Sequence, residues 1–170
     1  MYLNESVGAI STEQIREIVE EHIQKTSRKP VVFVDYLQIL KKPDVRMSDK
    51  QSADENIIAL KQISRDYELP VICISSLSRP SYKARLEMDS MKESGGIEYG
   101  SDVVMGLQYK AIEETEKESD LKNIKMEDLR KEYPRNVRIK VMKNREGITG
   151  ATVDFSYYPR FNYFSEIESK

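Results

Sequence analysis

Two short apolar runs constrain the fold more than any other feature of the sequence. Each run, VVFVD (Val31–Asp35) and VICIS (Val71–Ser75), follows a proline and an amphipathic stretch. Continuous runs of branched apolar residues are typical of strands that are covered on both faces. Because the order helix, strand, helix, strand has short connections, the two strands should be parallel. The sequence therefore predicts an α/β domain with three layers.

The stretches before the two runs have helical periodicity. STEQIREIVEEHIQKTSRKP opens with Ser11 and Thr12, either of which can cap a helix N-terminus, and its apolar residues recur three and four positions apart. SADENIIALKQISRDYELP has the same spacing. Its predicted buried stripe consists of Ile57, Leu60, Ile63 and Tyr67. Each helix should therefore bury one face.

The rest of the chain alternates between strands and polar segments. Residues 78–94 are polar without clear periodicity, which predicts a functional or mobile loop. SDVVMGLQY predicts a strand, and the highly charged segment after it predicts an exposed helical insertion. The tail alternates at period two about REGITG, which predicts an antiparallel hairpin and one more short strand. We expect one domain over residues 1–170, with a helical insertion at residues 112–134.

Composition excludes several classes of site. The single cysteine, Cys73, rules out an internal disulfide, and the sequence has neither a CxxC pair nor a histidine cluster for zinc. A net charge of −2 gives no overall basic character, so any nucleic-acid binding must be local. The start lacks the features of a signal peptide and no run is long enough to span a membrane, so we expect a cytoplasmic protein.

Both apolar runs end in polar residues. Asp35 stands at the carboxyl end of the first strand, where α/β folds bind ligands, and one aspartate can hold water around Mg²⁺ in nucleotide hydrolysis. A helix cap or a loop hydrogen bond would explain the same carboxylate. Ser75 and Ser76 end the second run, and their hydroxyls could contact a phosphate or its attacking water, with Arg79 supplying charge. The same residues are typical of a turn.

KESGGIEYGSD has the small residues of an anion-binding nest. Such residues allow backbone N–H groups to point outward before a helix, although a glycine-rich turn is the alternative. Gly95 and Gly100 also have the spacing of a phosphate-binding loop. Ser101 and Asp102 stand where that motif has lysine and a hydroxyl residue, which excludes it.

KNREG carries two cations at a predicted turn. In a tight hairpin, Lys143 and Arg145 would project to the same side. Rigid cations suit the charge that develops on a transferred phosphoryl group, particularly that of a neighbouring subunit. A solvated hairpin tip is the alternative.

Taken in order, these four segments resemble the second half of the DnaB-type replicative helicase motor, a RecA-like hexameric ring ATPase. VVFVDYLQIL resembles that family's Walker B strand with its DYLQ continuation. ISSLSR resembles the family's SQLSR segment. The family's RESG-IEQ-ADVVM segment is similar to MKESGGIEYGSDVVM, and its K-x-R-x-G-x-x-G hairpin to KNREGITG. The resemblance implies an α/β, RecA-like three-layer sandwich, incomplete at the N-terminus, whose parallel strands continue into an antiparallel C-terminal hairpin.

The resemblance also implies roles for individual residues. Asp35 would direct the Mg²⁺ of bound ATP through water, with Ser75 and Ser76 beside the nucleotide. Lys143 and Arg145 match the pair that reaches the γ-phosphate of the adjacent subunit, as an arginine finger does.

The implied DNA contacts lie in a different segment. The family loop whose backbone amides hold single-stranded DNA is matched by Lys92, Glu93 and Gly95. The implied ligands and partners are ATP, Mg²⁺, single-stranded DNA and the other subunits of a homo-hexameric ring, and the resemblance implies no membrane partner.

Two departures limit what the resemblance implies. The family's γ-phosphate-sensing glutamine is Ser76 here, and the shorter side chain cannot reach as far. The family's phosphate-binding loop and catalytic glutamate lie upstream of the Walker B strand, but only residues 1–30 precede that strand here, and no G-x-x-x-x-G-K-[ST] occurs. Because that loop supplies most of the grip on the phosphates, the chain alone should not bind ATP tightly or hydrolyse it. It would be a fragment of a longer helicase or a shortened relative.

Two other functions are compatible with the same residues. A non-catalytic module could dock on a complete helicase ring and donate Lys143 and Arg145 to a neighbour's ATP site. A stand-alone binder of single-stranded DNA is the other alternative, although few aromatic residues lie near the predicted DNA loop to stack bases. In the absence of DNA and ring neighbours, we expect residues 78–94 to be poorly ordered.

Overall fold

A computed structural model describes residues 2–3, 8–78, 80–91 and 94–168 of the chain. These residues form two compact units. The first comes from the described parts of residues 1–76 and 92–101, and the second from those of residues 77–91 and 102–170. No helix in the described ranges is both long and apolar enough to cross a membrane.

The first unit alternates helices with short strands. Along the chain it contains α1 (Thr12–Thr26), β1 (Val32–Val34), α2 (Asp49–Tyr67), β2 (Val71–Cys73) and α3 (Ser94–Gly100). The two strands pair in parallel, with Val34 opposite Cys73. The predicted order of elements and the parallel pairing are both confirmed.

Serine residues cap the two long helices. Ser11 accepts a hydrogen bond from the N–H of Gln14, whose side chain accepts one from the N–H of Ser11. Ser48 and Gln51 form the same capping box at the start of α2. Each box satisfies two backbone donors that a helix start otherwise leaves free. Of the two cap residues that the sequence offers for α1, the structure uses Ser11.

The core of the first unit combines apolar residues of α1, α2, β1 and the segment after β1. Its members include Ile15, Val19, Val34, Leu37, Leu60 and Ile63, all of them buried. The stripe predicted for α2 is confirmed in its centre, at Leu60 and Ile63. Its two ends, Ile57 and Tyr67, are partly exposed.

The two strands are not covered on both faces. Phe33 and its cross-strand partner Ile72 are 71% and 44% exposed, whereas Val34 is 7% exposed. Among the described residues this sheet has only two strands. The prediction of fully buried strands was therefore wrong for this chain. An apolar composition marks a face that favours burial, but it does not supply the layer that would cover that face.

The second unit is built on an antiparallel sheet. It contains β3 (Val103–Tyr109), α4 (Lys110–Glu114), α5 (Glu118–Leu121), α6 (Met126–Lys131), β4 (Arg135–Asn144), β5 (Thr152–Tyr158) and β6 (Tyr163–Glu166). The strands lie in the order β3-β4-β5-β6, and each pairs antiparallel with the next. The predicted strand, hairpin and last short strand are all confirmed.

The charged segment between β3 and β4 is helical and has a small core of its own. Ile112, Leu121 and Leu129, one from each of α4, α5 and α6, are buried together. Helices as short as these are not stable alone in water, so the shared apolar contacts hold them.

The described part of the long polar loop is held at several points. It contains two 3₁₀ helices, Pro80–Lys83 and Met88–Ser90. The N–H of Ser78 donates to the carbonyl of Ser90 at 2.9 Å, and the Leu86 side chain is fully buried. The poor order expected of this loop in solution stays a prediction.

An ion-pair network joins α4 to the antiparallel sheet. Arg138 of β4 donates from Nε and Nη2 to the carboxylate oxygens of Asp154 on β5, at 2.6 and 2.9 Å. The Lys110 Nζ lies 2.8 Å from Asp154 Oδ2, and Glu114 Oε1 lies 2.8 Å from Arg138 Nη2. The hydrogen bonds from Arg138 above all, and from Lys110, lower the pKa of Asp154 to about 2.

We expect Asp154→Asn to reduce the free energy of unfolding by about 2 kcal/mol at neutral pH, which corresponds to the depression of that pKa. Since the folded-state pKa lies below the unfolded-state value, this stabilisation is complete above about pH 5 and is lost as the pH falls through the folded-state pKa. Urea denaturation across this range measures the difference between the two proteins, which should shrink in acid. Asp44→Asn, which removes a surface ion pair with Arg46, is the control and should change little. Equal stability of Asp154→Asn and the native protein at neutral pH would contradict the assignment.

Candidate functional site

The parallel strand pair sets the position of Asp35. The N–H of Ile74 donates to the carbonyl of Val34 at 2.9 Å, and the N–H of Leu37 donates to the carbonyl of Ile74 at 2.8 Å. These bonds keep the residues after β1 and after β2 at the same edge of the sheet. Asp35 is the first residue beyond β1, and it is exposed. The next helical turn is capped by Tyr36 without a side-chain bond, so a helix cap does not explain Asp35.

Gln38 connects this edge to the two predicted serines. It lies in a 3₁₀ helix, Leu37–Ile39, directly after Asp35. Its Nε2 donates to Ser75 Oγ at 2.9 Å, and its Oε1 accepts from the N–H of Ser76 at 3.3 Å. One amide side chain therefore fixes the segment that follows β2 relative to the segment that follows β1.

The structure thus brings Asp35, Ser75 and Ser76 to one end of the strand pair, as the parallel reading of the sequence predicts. Sequence reasoning gave Gln38 no role. The available signal was a polar residue between apolar neighbours in YLQIL, because a glutamine in such a position usually has a specific hydrogen-bond partner.

The predicted DNA loop is described only in part. Lys92 and Glu93 lie outside the described residues, and Gly95 lies in the first turn of α3. A Cβ added at Gly96 would lie 2.9 Å from the Cα of Asp54 in α2, whereas one added at Gly95 would meet only the Lys50 side chain at 3.9 Å. The second glycine of the pair is therefore required for packing, and the first has open space beside it.

The two predicted phosphate-reaching cations lie on an extension of β4. The β4–β5 ladder ends at Lys140 and Thr152, and Val141 closes it through hydrogen bonds with Gly150 and Ala151. The prediction of a tight hairpin was therefore wrong, because β4 continues to Asn144 without β5 beside it.

On this extension β4 pairs only with β3 among the described residues. Lys143 lies opposite Val104, next to a bulge at Met142 of β4. Arg145 is just beyond the end of β4, so the alternation of a strand does not fix its side relative to Lys143.

An ion pair holds Arg145 in this chain. The backbone N–H of Arg145 donates to the backbone carbonyl of Asp102 at 2.9 Å, and the Arg145 Nη1 lies 3.3 Å from Asp102 Oδ1. The two side chains are 47% and 49% exposed. Exposed pairs of this kind contribute only about 0–1 kcal/mol, so the guanidinium can leave its partner at little cost. The sequence offered Asp102 only as a mismatch to a phosphate-binding loop, and nothing local indicated this pairing.

The described residues fit one part of a magnesium–nucleotide site. They contain no group of three or more His, Cys, Asp or Glu residues that could hold a metal ion. Mg²⁺ that is bound together with a nucleotide needs only one or two carboxylates, since phosphates and water supply its other ligands. Asp35 meets that requirement, and no G-x-x-x-x-G-K-[ST] motif occurs in the sequence.

Comparison with known families adds to this geometry. The sequence matches the DnaB-like helicase C terminal domain over residues 1–166. The chain belongs to that family. Replicative DNA helicase DnaC of Bacillus subtilis (strain 168) is 28% identical over 174 residues, which cover 100% of this chain and 35% of that protein. Replicative DNA helicase DnaB of Geobacillus stearothermophilus is 29% identical over 153 residues, which cover 87% of this chain and 30% of that protein. This DnaB-like chain spans about a third of the length of these relatives.

Two solved structures share the fold of the DnaB-like chain. One is an ATPase domain, which matches with a TM-score of 0.75 at 23% identity, over 94% of this chain and 52% of its own. The other is a DnaB-like replicative helicase, described with its interactions with primase, which matches with a TM-score of 0.77 at 24% identity, over 97% of this chain and 37% of its own. The predicted RecA-like α/β fold is confirmed.

We expect Gln38→Ala to accelerate hydrogen exchange at the Ser76 amide by about 5-fold, because that amide loses its acceptor. The exchange of backbone amides in β1 and β2 should change little. Gln62→Ala, which removes an exposed glutamine that bonds Asp66, is the matched control. Unchanged exchange at Ser76 would contradict the role of Gln38.

A second pair of variants tests the packing of α3 on α2. Gly96→Ala should lower the free energy of unfolding by about 1–3 kcal/mol, because the new Cβ meets the Cα and the side chain of Asp54. Gly95→Ala should leave it unchanged or raise it by up to about 1 kcal/mol, since alanine favours a helix. Urea denaturation measures both values, and equal midpoints for the two variants would contradict this view of the glycine pair.

Proposed function

We propose that this chain is the carboxyl-terminal part of a DnaB-like replicative helicase motor, which couples ATP hydrolysis to DNA unwinding in the complete protein. The observation that carries the proposal is the exposed Asp35 carboxylate at the carboxyl end of a parallel strand pair. That is the place where open α/β sheets bind ligands. Its occurrence in a member of the DnaB-like family supports a nucleotide as the ligand.

In the complete site, Asp35 would hold water around the Mg²⁺ of bound ATP. Ser75 and Ser76 would lie beside the γ-phosphate and report its presence to the rest of the motor. Gln38 would be the positioning residue, since it bonds both serines and follows Asp35 closely in the chain. The short Ser76 side chain favours contact through water.

Lys143 and Arg145 would act on the nucleotide of an adjacent subunit in a homo-hexameric ring. The position of Arg145 beyond the end of β4 supports this role, because a strand extension can reach out of its own subunit. Its partly exposed ion pair with Asp102 would be exchanged for the phosphoryl group. Arginine suits that group because its planar donors can bind two oxygens at once.

Single-stranded DNA would contact the segment that leads into α3. The open space beside Gly95 supports close approach of a phosphate to the backbone there. Lys92 and Glu93 enter the proposal only through the family resemblance. Backbone amides can hold phosphates without a net positive charge, in agreement with the net charge of −2.

The nucleotide site would be completed by protein outside this chain's residues. The exposed Phe33 and Ile72 support this view, as do Met105 and Leu107 on β3, which are 63% and 51% exposed. Such apolar surfaces are typical of interfaces with further protein. This chain alone would therefore neither bind ATP tightly nor hydrolyse it.

Mixed rings of the complete helicase provide the test. Asp35→Asn should abolish the Mg²⁺ contact in its own subunit, and Arg145→Ala should lower ATP hydrolysis by about 1,000-fold or more, the usual contribution of an arginine finger. When the two variants are mixed, some interfaces combine a native Asp35 with a native Arg145 from the neighbour. We expect the mixture to regain ATPase activity that neither variant has alone.

The outcome separates action within a subunit from action between subunits. If Arg145 served its own subunit, every subunit in the mixture would lack one of the two residues and activity would stay low. Arg46→Ala, which removes an exposed arginine paired with Asp44, is the matched control and should retain full activity. Full activity of Arg145→Ala would remove the proposed role of that residue.

A further inference from the structure

Aromatic residues are concentrated at one end of the antiparallel sheet. Six of the fourteen in the chain lie between Phe155 and Phe164, on and between β5 and β6. On one side of this hairpin, Tyr158 lies opposite Tyr163 with ring centroids 6.0 Å apart. Tyr133 meets Tyr158 edge to face at 5.7 Å.

Three rings at this end of the sheet are exposed instead of forming a core. Tyr133, Tyr163 and Phe161 are 48%, 57% and 75% exposed, and Phe161 lies in the turn that joins the two strands. We call Tyr133, Tyr158, Phe161 and Tyr163, together with Arg160, the aromatic platform. Neither the proposed nucleotide contacts nor the proposed DNA loop includes any of its residues. Exposed apolar groups of this extent are typical of binding surfaces.

Basic residues flank the platform in the sequence, and one of them contacts a ring. The guanidinium of Arg160 lies over the Tyr133 ring, 5.3 Å from its centroid. Residues 130–135 and 157–164 together contain four basic residues, Arg130, Lys131, Arg135 and Arg160, and one acidic residue, Glu132. Arg135 is oriented by two hydrogen bonds from its guanidinium to the carbonyl of Arg130, at 3.0 and 2.5 Å. These two segments therefore carry an excess of positive charge in a chain whose net charge is −2.

We infer that the aromatic platform binds single-stranded nucleic acid. Every base has a flat face that stacks on an exposed aromatic ring, and the phosphates between successive bases suit cations beside the rings. Tyr163 and Phe161 supply exposed rings, and Arg160, whose guanidinium lies over the Tyr133 ring, supplies a cation beside them. The excess of cations favours a polyanion over a second copy of the chain, which would bring the same positive charges.

The platform shares no residue with the loop that leads into α3, and the inference does not rest on the proposed nucleotide site. The binding is tolerant of sequence, since stacking and charge do not read base edges. In a helicase, the platform would allow the second unit to bind a DNA strand without ATP.

The test measures binding of a labelled oligothymidylate, about 15 nucleotides long, to the 170-residue chain by fluorescence anisotropy. Phe161→Ala and Tyr163→Ala should each weaken binding by about 5-fold or more, and Phe161→Tyr should retain it because tyrosine also stacks. Arg160→Ala should weaken binding and reduce the dependence of log affinity on log salt by about one unit.

Matched controls separate the platform from exposed aromatic and basic residues in general. Tyr2→Ala removes a tyrosine of the first unit that is 80% exposed, and Arg46→Ala removes an exposed arginine; neither should change affinity. Circular dichroism checks that each variant keeps its fold. The Phe161 and Tyr163 side chains project largely into solvent, so their loss should not unfold the chain.

Several results would overturn the inference. Native affinity in the double variant Phe161→Ala, Tyr163→Ala is one. Loss of binding in Gly95→Asp with none in the platform variants is another, and it would leave the proposed DNA loop standing. Loss of oligothymidylate binding in the platform variants supports the platform, whatever the effect of Gly95→Asp. The inference would also be overturned if the native chain does not bind the oligothymidylate. Self-association of the chain, or binding of a proline-rich peptide that is lost in Phe161→Ala, would then identify a different occupant of this surface.

Discussion

The parallel pairing of β1 with β2 is the constraint on which the candidate site depends. Three residues in each strand pair in register, and backbone hydrogen bonds continue the contact beyond them through Ile74 to Leu37. This arrangement makes the ends of two distant segments neighbours at one edge. For that reason Asp35 lies at the same edge of the sheet as Ser75 and Ser76. Gln38, three residues after Asp35, then bonds to both serines. A change of one residue in register would turn alternate side chains to the opposite face and separate the carboxylate from the serines.

Local signals in the sequence predicted most of the elements. Apolar runs, helical periodicity and period-two alternation predicted the order of helices and strands. Ser11 and Thr12 were both recognisable as candidate caps, because a cap involves only neighbouring residues. Asp35 was identifiable because α/β folds bind ligands at the carboxyl ends of their strands, and Asp35 ends an apolar run that predicts a strand. The roles assigned to the site residues stay predictions, since neither the fold nor the family membership tests them.

Features that depend on distant partners were not predictable in the same way. The pairing of Arg145 with Asp102 and the bonds from Gln38 to two serines arise from tertiary contacts across tens of residues. The extension of β4 was missed because turn residues do not indicate where a ladder stops. The exposure of Phe33 was missed because an apolar strand signals a need for cover and not its presence. The aromatic platform joins Tyr133 to β5 and β6, and only the sheet brings them together.

We propose that Asp35 is one half of a nucleotide site whose phosphate-binding half lies outside these residues. Titration calorimetry with MgATP tests it most directly, on the 170-residue chain and on the protein extended by its upstream coding sequence. We expect no binding by the chain alone and binding by the extended protein, which Asp35→Asn weakens in the presence of Mg²⁺. Tight binding of MgATP by the 170-residue chain, or equal binding by the native and Asp35→Asn extended proteins, would contradict it.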